Sequence, residues 1–396
     1  AVGTDAVVPP GARVIEDDKL IVYAGFVDGL ARYGVSSARV EAAEERRVEG
    51  AFPNPTDGPL VRTVEANRHG IAARRRAEEL LDLEERTFAD PRGAGLTAAM
   101  LAPPRAIIGG RTAVVQLGSR PLRDALLAVN VSQTASFESP PRRTLRGRDS
   151  YPATILGVIA HLRQTLHDAD WQRSMLARGS AAAHDPDLAA LADVLGDLSQ
   201  DPIERGQHGR TWSGRRAGMS SGRVPIVIEA ETREEIECAL RLADEFGLRV
   251  VIAGGREAWQ VADELAARGV GVIASLDLPP KTPKFELDAD KLLPAADAHA
   301  EDPRRASAAD ALYGDAWRKR PAHPRAAYEA ADALRRLRLE RLAVLERAGV
   351  HWCVTTAGLE KPGDLLGALR EFIEAGVAPE GGLRAPTGGP GGRFRP

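Results

Sequence analysis

This sequence has little of what stabilises small secreted domains or spans a membrane. It contains only two cysteines in 396 residues, Cys238 and Cys353, and both fall in predicted regular elements. We therefore expect buried free thiols rather than a disulfide framework. No apolar run approaches the roughly 20 residues needed to cross a bilayer, so no membrane span is predicted.

An excess of charge of either sign is also missing. The 53 Lys and Arg residues nearly balance the 56 Asp and Glu residues, which leaves a formal net charge of −3. Such a chain has no field that attracts nucleic acid or anionic lipid, so no nucleic-acid partner is predicted. We expect a soluble protein. The sequence starts at Ala1 without a methionine, and it leaves the compartment open between cytoplasmic and exported with a leader removed.

The clearest pattern that is present alternates strands with helices over residues 224–271. Residues 224–230 form a short apolar run rich in β-branched side chains, which is typical of a buried strand. Thr232 can cap the helix that follows, and Gly247 stands where a left-handed residue would end it. The pattern repeats with a strand at 249–253, a helix at 256–268 and a strand at 270–274. This alternation predicts a parallel sheet covered by helices.

Other stretches extend the same pattern in both directions. Residues 23–34 end a strand in small residues and an Asp, as barrel strands do at their C-terminal ends. Further predicted elements include strands at 95–103, 111–117 and 350–356, a turn at 107–110, and helices at 70–90, 151–175, 186–198, 326–348 and 365–375. Because the count approaches eight strand–helix units and no GxGxxG motif opens a helix, the sequence favours a (β/α)8 TIM barrel over an open doubly wound sheet.

Several blocks of the sequence resemble the amidohydrolase superfamily, and within it the imidazolonepropionase-like members. The block YAGFVDGLARYG at 23–34 is similar to the end of the first barrel strand, where the family carries PGFID-x-H-x-H. Blocks at 148–171, 224–255, 348–359 and 381–390 follow in the family's order, so the resemblance covers about residues 11–390. The resemblance implies the TIM-barrel fold of metal-dependent hydrolases.

The resemblance also divides the chain into three parts. Residues 1–23 would be remnant strands of the small β-sandwich that flanks the barrel in the family, and residues 24–378 the barrel itself. Residues 275–325 form a long irregular insertion within it, which we interpret as a lid or an oligomer contact. Residues 379–396 are a tail rich in Gly and Pro.

The family holds its metal ions with two His on strand 1, one His each on strands 5 and 6, and an Asp on strand 8. Such ligands bind a zinc-like ion and leave a position open for the attacking water. In this sequence the corresponding positions hold Leu30, Arg32, Glu229, Gly254 and Ala357. A leucine and a guanidinium exclude a cation rather than bind one. No metal, cofactor or catalytic residue is therefore predicted at these positions.

The predicted pocket consists of these positions and their neighbours. Its members are Asp28, Leu30, Arg32, Glu229, Gly254, Arg256, Thr356 and Ala357, and Glu231 and Thr355 also fall at strand ends. Because a buried carboxylate without a partner is costly, we expect Asp28 to pair with Arg32, or Glu229 with Arg256, in place of an ion.

Three functions from different classes follow, and one of them is a small-molecule sensor that binds its ligand in the barrel mouth. The favoured one is a non-catalytic, amidohydrolase-like binding or assembly subunit, which forms a homo-oligomer or a hetero-oligomer with an active relative. The alternative is an active hydrolase of amide or cyclic C–N bonds, with zinc or another divalent metal at a relocated site. The histidines available for such a site are His161, His167, His208 and His299.

Overall fold

The computed structural model describes residues 11, 24–36, 70–81, 85–118, 122–138, 152, 154–179, 185–196, 224–279, 281, 325–379 and 381–382. The strands are β1 (Phe26–Ala31), β2 (Leu96–Leu101), β3 (Ile108–Arg111), β4 (Ala113–Gln116), β5 (Leu126–Ala128), β6 (Gln133–Ser136), β7 (Ile226–Ala230), β8 (Val250–Gly254), β9 (Gly271–Ser275) and β10 (Trp352–Thr355).

Helices follow most of these strands. The α-helices are α1 (Ala89–Gly93), α2 (Leu122–Ala125), α3 (Ile155–Ala177), α4 (Pro186–Ala189), α5 (Arg233–Phe246), α6 (Ala262–Arg268), α7 (Arg325–Arg347) and α8 (Leu365–Glu374). Short 3-10 helices lie at Ala77–Glu79, Glu85–Phe88, Ala258–Val261 and Pro362–Asp364. None of the described helices is both long and apolar enough to cross a membrane.

The strands form two sheets. One has the order β1-β2-β4-β5 and the other the order β10-β9-β8-β7-β6-β3. The strands from β6 to β10 are all parallel, as are β1 and β2, whereas β3, β4 and β5 pair antiparallel with their neighbours. The prediction of an α/β chain with a parallel sheet is confirmed.

The predicted strand–helix units after residue 224 are confirmed in their local chemistry. Thr232 caps α5 and forms a reciprocal capping box with Glu235, so two backbone N–H groups of the first turn are satisfied. Gly247 ends α5 and Gly269 ends α6, both in the left-handed conformation that glycine adopts without a Cβ penalty. The helix predicted at 256–268 begins later, because its first turn is the 3-10 helix Ala258–Val261.

Two groups of buried apolar residues pack against the strands. The large group fills the space between the strands and the helices and includes Leu240, Leu265 and Phe372. The small group contains residues of six parallel strands, β1, β2, β7, β8, β9 and β10. Its members are Leu30, Met100, Ala102, Val227, Ala253, Ile273 and Cys353. Residues from both sheets therefore meet in one enclosed cluster.

Residues 107–117 differ from the prediction. The predicted turn at 107–110 is mostly strand β3. Gly110 lies at a register shift in this strand and adopts a φ of 113°, a conformation that favours glycine. The strand predicted at 111–117 exists as β4, but it runs antiparallel to β2. The chain between β2 and β4 is too short for the helical crossover that a parallel neighbour requires.

Three predicted features lie wholly or largely outside the described residues. These are the β-sandwich remnant at 1–23, the part of the insertion from 282 to 324 and most of the tail at 379–396. His208 and His299 lie outside them as well.

Candidate functional site

A cavity of about 260 Å³ opens at the C-terminal ends of the parallel strands. Residues from the ends of β7, β8, β9 and β10 line it, together with Arg32 after β1 and Arg105 after β2. Its charged lining consists of Arg32, Arg105, Arg256, Glu138, Glu229, Glu231, Glu235 and Asp277. The carboxyl ends of parallel strands are where α/β folds place their ligand sites.

Most of the predicted pocket residues line this cavity. They are Leu30, Arg32, Glu229, Gly254, Arg256 and Ala357. Asp28 and Thr356 instead contact each other at the junction of β1 and β10, and both are buried.

One ion-pair network is centred on Glu229. Its Oε1 accepts from Nη2 of Arg32, and its Oε2 lies 2.7 Å from Nε of Arg105. Arg105 also donates from Nη1 to both carboxylate oxygens of Glu138 at 3.0 Å. Arg32 donates from Nε to the Pro103 carbonyl at 3.2 Å. Two guanidinium groups therefore bind both oxygens of one carboxylate, which is a strong, charge-assisted arrangement.

A second network surrounds Arg256 and is looser. Nε of Arg256 lies 3.7 Å from Oε2 of Glu231 and 3.8 Å from Oδ2 of Asp277, too far for a hydrogen bond to either. The backbone N–H of Arg256 donates to Glu231 at 3.3 Å. Burial raises the pKa of Glu231, and the nearby charge of Asp277 adds to that effect while Arg256 opposes it.

Arg341 on α7 lies beneath Asp277. Its Nη2 donates to the Ser275 carbonyl and, at 3.4 Å, to the Asp277 carbonyl, and it lies 3.6 Å from Oδ1 of Asp277. The guanidinium lies over the ring of Phe372 at 5.3 Å from the centroid. Its side chain is only 1% exposed, and burial lowers its pKa.

Asp28 joins β1 to the end of β10. Its carboxylate accepts from the hydroxyl of Thr356, from the backbone N–H of Thr356 at 3.3 Å and from that of Leu30 at 3.3 Å. Burial nevertheless raises the pKa of Asp28, and the hydrogen bonds from Thr356 only partly offset this. Burial also raises the pKa of the nearby Cys353 thiol to about 12, and the charge of Asp28 contributes.

Both predicted ion pairs are wrong, because the residues bind other partners. Asp28 does not pair with Arg32, because Thr356 and the Leu30 N–H already satisfy its oxygens while Arg32 reaches across to Glu229. Glu229 does not pair with Arg256, because Arg256 follows β8 and approaches Glu231 beyond the end of β7.

Four charged residues in or beneath the cavity were not predicted from the sequence, namely Arg105, Glu138, Asp277 and Arg341. Arg105 lies four residues after the end of β2 and Asp277 two residues after the end of β9, so a search for charged residues shortly after strand ends would have found both. Arg341 carried no such signal, because it belongs to a helix whose repeated Leu and Arg residues do not reveal which arginine turns inward.

The described histidines lie away from this cavity's lining. His161 is buried on α3, and the half-exposed ring of His167 lies 3.1 Å from Glu245 and packs on Phe246. Within the part of the chain that the structure describes, no three His, Cys, Asp or Glu residues are grouped so that they could hold a metal ion.

A solved structure of an amidohydrolase has a fold similar to that of this chain. An amidohydrolase from Thermotoga maritima MSB8 aligns with 100% of this chain and 83% of its own, with a TM-score of 0.58 and 16% sequence identity. The chain shares the fold of this amidohydrolase. The predicted resemblance is thus confirmed for the fold.

Other comparisons add less. A prolidase complexed with N-methylphosphonate-L-proline aligns with 96% of this chain and 76% of its own at 14% identity, but its TM-score of 0.39 is too low to relate the two folds. No protein-family model matches the sequence, and no curated protein sequence matches it either.

Proposed function

We propose that this chain is a non-catalytic barrel of amidohydrolase type, in which arginine–carboxylate networks occupy the mouth where the family binds metal. The observation that carries the proposal is the contact between Arg32 and Glu229. These residues stand at the strand-1 and strand-5 ligand positions that the resemblance implies, and they bind each other.

The residues at the implied ligand positions do not fit a divalent cation. Leu30 has no donor atom and is buried in the small apolar cluster, and Gly254 and Ala357 have no polar side chain. Glu229 is the one carboxylate among them, and two guanidinium groups already bind both of its oxygens. A divalent ion would have to displace both arginines while gaining a single carboxylate, whereas such ions need several anionic or imidazole ligands. We therefore derive no metal-dependent step.

The closed barrel is part of the same proposal. The hydroxyl of Thr355 on β10 donates to the Leu30 carbonyl of β1, and Ser132 before β6 contacts the sulfur of Met100 on β2 at 3.8 Å. Both contacts run between the two sheets, as does the small apolar cluster. They support a ring in which β10 lies beside β1 and β2 beside β6, built from the seven parallel strands of the described residues.

A hydrolysis assay tests this function. The purified full chain, supplied in turn with Zn²⁺, Mn²⁺ and Fe²⁺, is incubated with a panel of amides, lactams and cyclic imides. We expect no turnover above that of a Glu229→Gln variant. Turnover that requires an added metal would overturn the proposal and favour the alternative of an active hydrolase with a relocated metal site.

We also propose that the chain works within an assembly, as a homo-oligomer or beside an active relative. This part of the proposal rests on the sequence, in which the 275–325 insertion is the candidate contact surface. Native mass spectrometry of the chain purified from its natural source should show more than a monomer, and a monomer alone would contradict it.

A further inference from the structure

The Arg256 corner of the cavity is the part whose charges are left incompletely paired. Both oxygens of Glu229 bind arginine side chains, whereas Glu231 accepts from the backbone N–H of Arg256 and Asp277 from the hydroxyl of Ser275 at 2.8 Å. The Nε of Arg256 is too distant from either carboxylate for a hydrogen bond. This Nε is itself closed to solvent. The side chains of Arg256 and Glu231 are nevertheless each 39% exposed and that of Asp277 is 27% exposed, so their outer polar atoms can contact a ligand in the cavity that they line.

A second guanidinium with unused donors faces the same acids. Arg341 is 1% exposed, and its Nη2 is directed at Ser275 and Asp277. Its Nε and Nη1 have no hydrogen-bond partner among the described residues. Arg256 therefore lies 3.8 Å from one carboxylate oxygen of Asp277 and Arg341 lies 3.6 Å from the other. Because Arg341 is buried and does not line the cavity, it acts on a ligand there through its charge and not through a hydrogen bond.

Two glycines of this corner allow the side chains of Glu231 and Ser275 to pack directly against the backbone. A Cβ at Gly254 would collide with the carboxylate of Glu231, and one at Gly358 would lie 2.6 Å from the Ser275 hydroxyl and 3.2 Å from Cβ of Asp277. Both glycines have a φ of 91° and both line the cavity. The volume of about 260 Å³ is smaller than the roughly 300–1,000 Å³ of sites for drug-sized ligands. The ligand must therefore be small.

The mixture of positive and negative charges at this corner limits which kinds of ligand can bind there. A simple anion would be attracted by the guanidinium groups but repelled by Glu231 and Asp277. A simple cation would be attracted by these two carboxylates but repelled by Arg256 and Arg341. A molecule that carries an ammonium and a carboxylate a few atoms apart satisfies both pairs at once.

We propose that the Arg256 corner binds a small zwitterion of the α-amino-acid class, with its carboxylate towards Arg256 and its ammonium towards Glu231 and Asp277. This inference rests on the proposed function, because it assigns a ligand to the same metal-free mouth. The Arg32–Glu229–Arg105 network then acts as the closed neighbouring wall rather than as a binding group.

Calorimetric titration and thermal unfolding of the full chain test this assignment. The probes are the standard L-α-amino acids, with ethylammonium and propionate as analogues of alanine that each carry one of its two charges. We expect at least one amino acid to bind with a stoichiometry of about one and to raise the unfolding temperature. Ethylammonium and propionate should do neither at the same concentration.

Variants locate the site. Arg256→Gln and Glu231→Gln should each weaken the binding of that amino acid by roughly 10- to 100-fold, because each removes a charge-assisted hydrogen bond. Arg233→Gln, on an exposed part of α5 outside the cavity, is the matched control and should leave binding unchanged. If one variant fails to fold by circular dichroism, Asp277→Asn takes its place.

Several outcomes would overturn this inference. These are no binding by any amino acid, equal binding of ethylammonium or propionate, and binding that survives the variants at the Arg256 corner. Metal-dependent hydrolysis would instead contradict the proposed function, whatever the amino acids do. The two failures are therefore distinguishable.

Discussion

Removing the Arg32 side-chain charge should destabilise the fold through Glu229. In Arg32→Met the partly buried Glu229, whose side chain is 13% exposed, keeps only Arg105 as a cationic partner. Breaking a fully buried ion pair costs about 3–5 kcal/mol, and an exposed pair contributes only about 0.2–1 kcal/mol. Because Arg32 is 25% exposed and Arg105 remains, we expect a loss of about 1–2 kcal/mol of unfolding free energy.

A double-mutant cycle isolates the interaction from other effects of the substitution. Urea unfolding is measured for the wild type, Arg32→Met, Glu229→Gln and the double variant. The double variant should be less destabilised than the sum of the single ones by about 1 kcal/mol or more, since the charge left unpaired in each single variant is gone.

The matched control is an exposed pair on α5. Arg233 and Glu237 lie four residues apart with Nε and Oε1 at 2.7 Å, and their side chains are 52% and 29% exposed. The cycle Arg233→Met with Glu237→Gln should give a coupling of only about 0.3–0.5 kcal/mol. A coupling at Arg32–Glu229 no larger than that of the control would refute the view that this pair supports the mouth of the fold.

Three further predictions concern neighbouring parts of the fold. Because burial raises the pKa of Asp28, the unfolding free energy of the wild type relative to that of Asp28→Asn should increase as pH falls from 8 towards the ordinary pKa of Asp. Urea unfolding that shows the opposite trend would mean that Thr356 stabilises the ionised form. The Cys353 thiol, with a pKa of about 12 and a buried side chain, should react with iodoacetamide at pH 8 only after unfolding; rapid labelling of the native protein at Cys353 would contradict this. Thr232→Ala should cost about 1 kcal/mol, because the capping box with Glu235 is lost, and an unchanged urea midpoint would show that the box contributes nothing.

Local sequence signals predicted the second half of the fold well. Residues 224–275 alternate β-branched runs with amphipathic helices, and Thr232, Gly247 and Gly269 mark the helix ends where the structure has them. These signals act within a few residues, so the sequence displays them directly. The direction of β4 could not be read in this way, because it depends on the length of the connection and on the partner strand.

The sequence could predict where the candidate site lies but not which charged residues pair within it. The resemblance predicted Arg32, Glu229, Gly254 and Ala357 as site positions, and all four line one cavity. Which acid each arginine binds depends on the relative height of β1, β2 and β7, and a sequence does not carry that distance. Arg105 therefore takes up the second oxygen of Glu229, although it lies 124 positions earlier in the chain.

In the proposed function, Arg32 and Arg105 occupy the mouth of the barrel in place of a metal ion. The most direct test is the metal content of the full chain after incubation with excess Zn²⁺, Mn²⁺ and Fe²⁺ and removal of unbound ions, measured by elemental mass spectrometry. We expect no stoichiometric metal. Retention of about one or two ions per chain, as metal-dependent hydrolases hold, would contradict it, most sharply if Glu229→Gln released them.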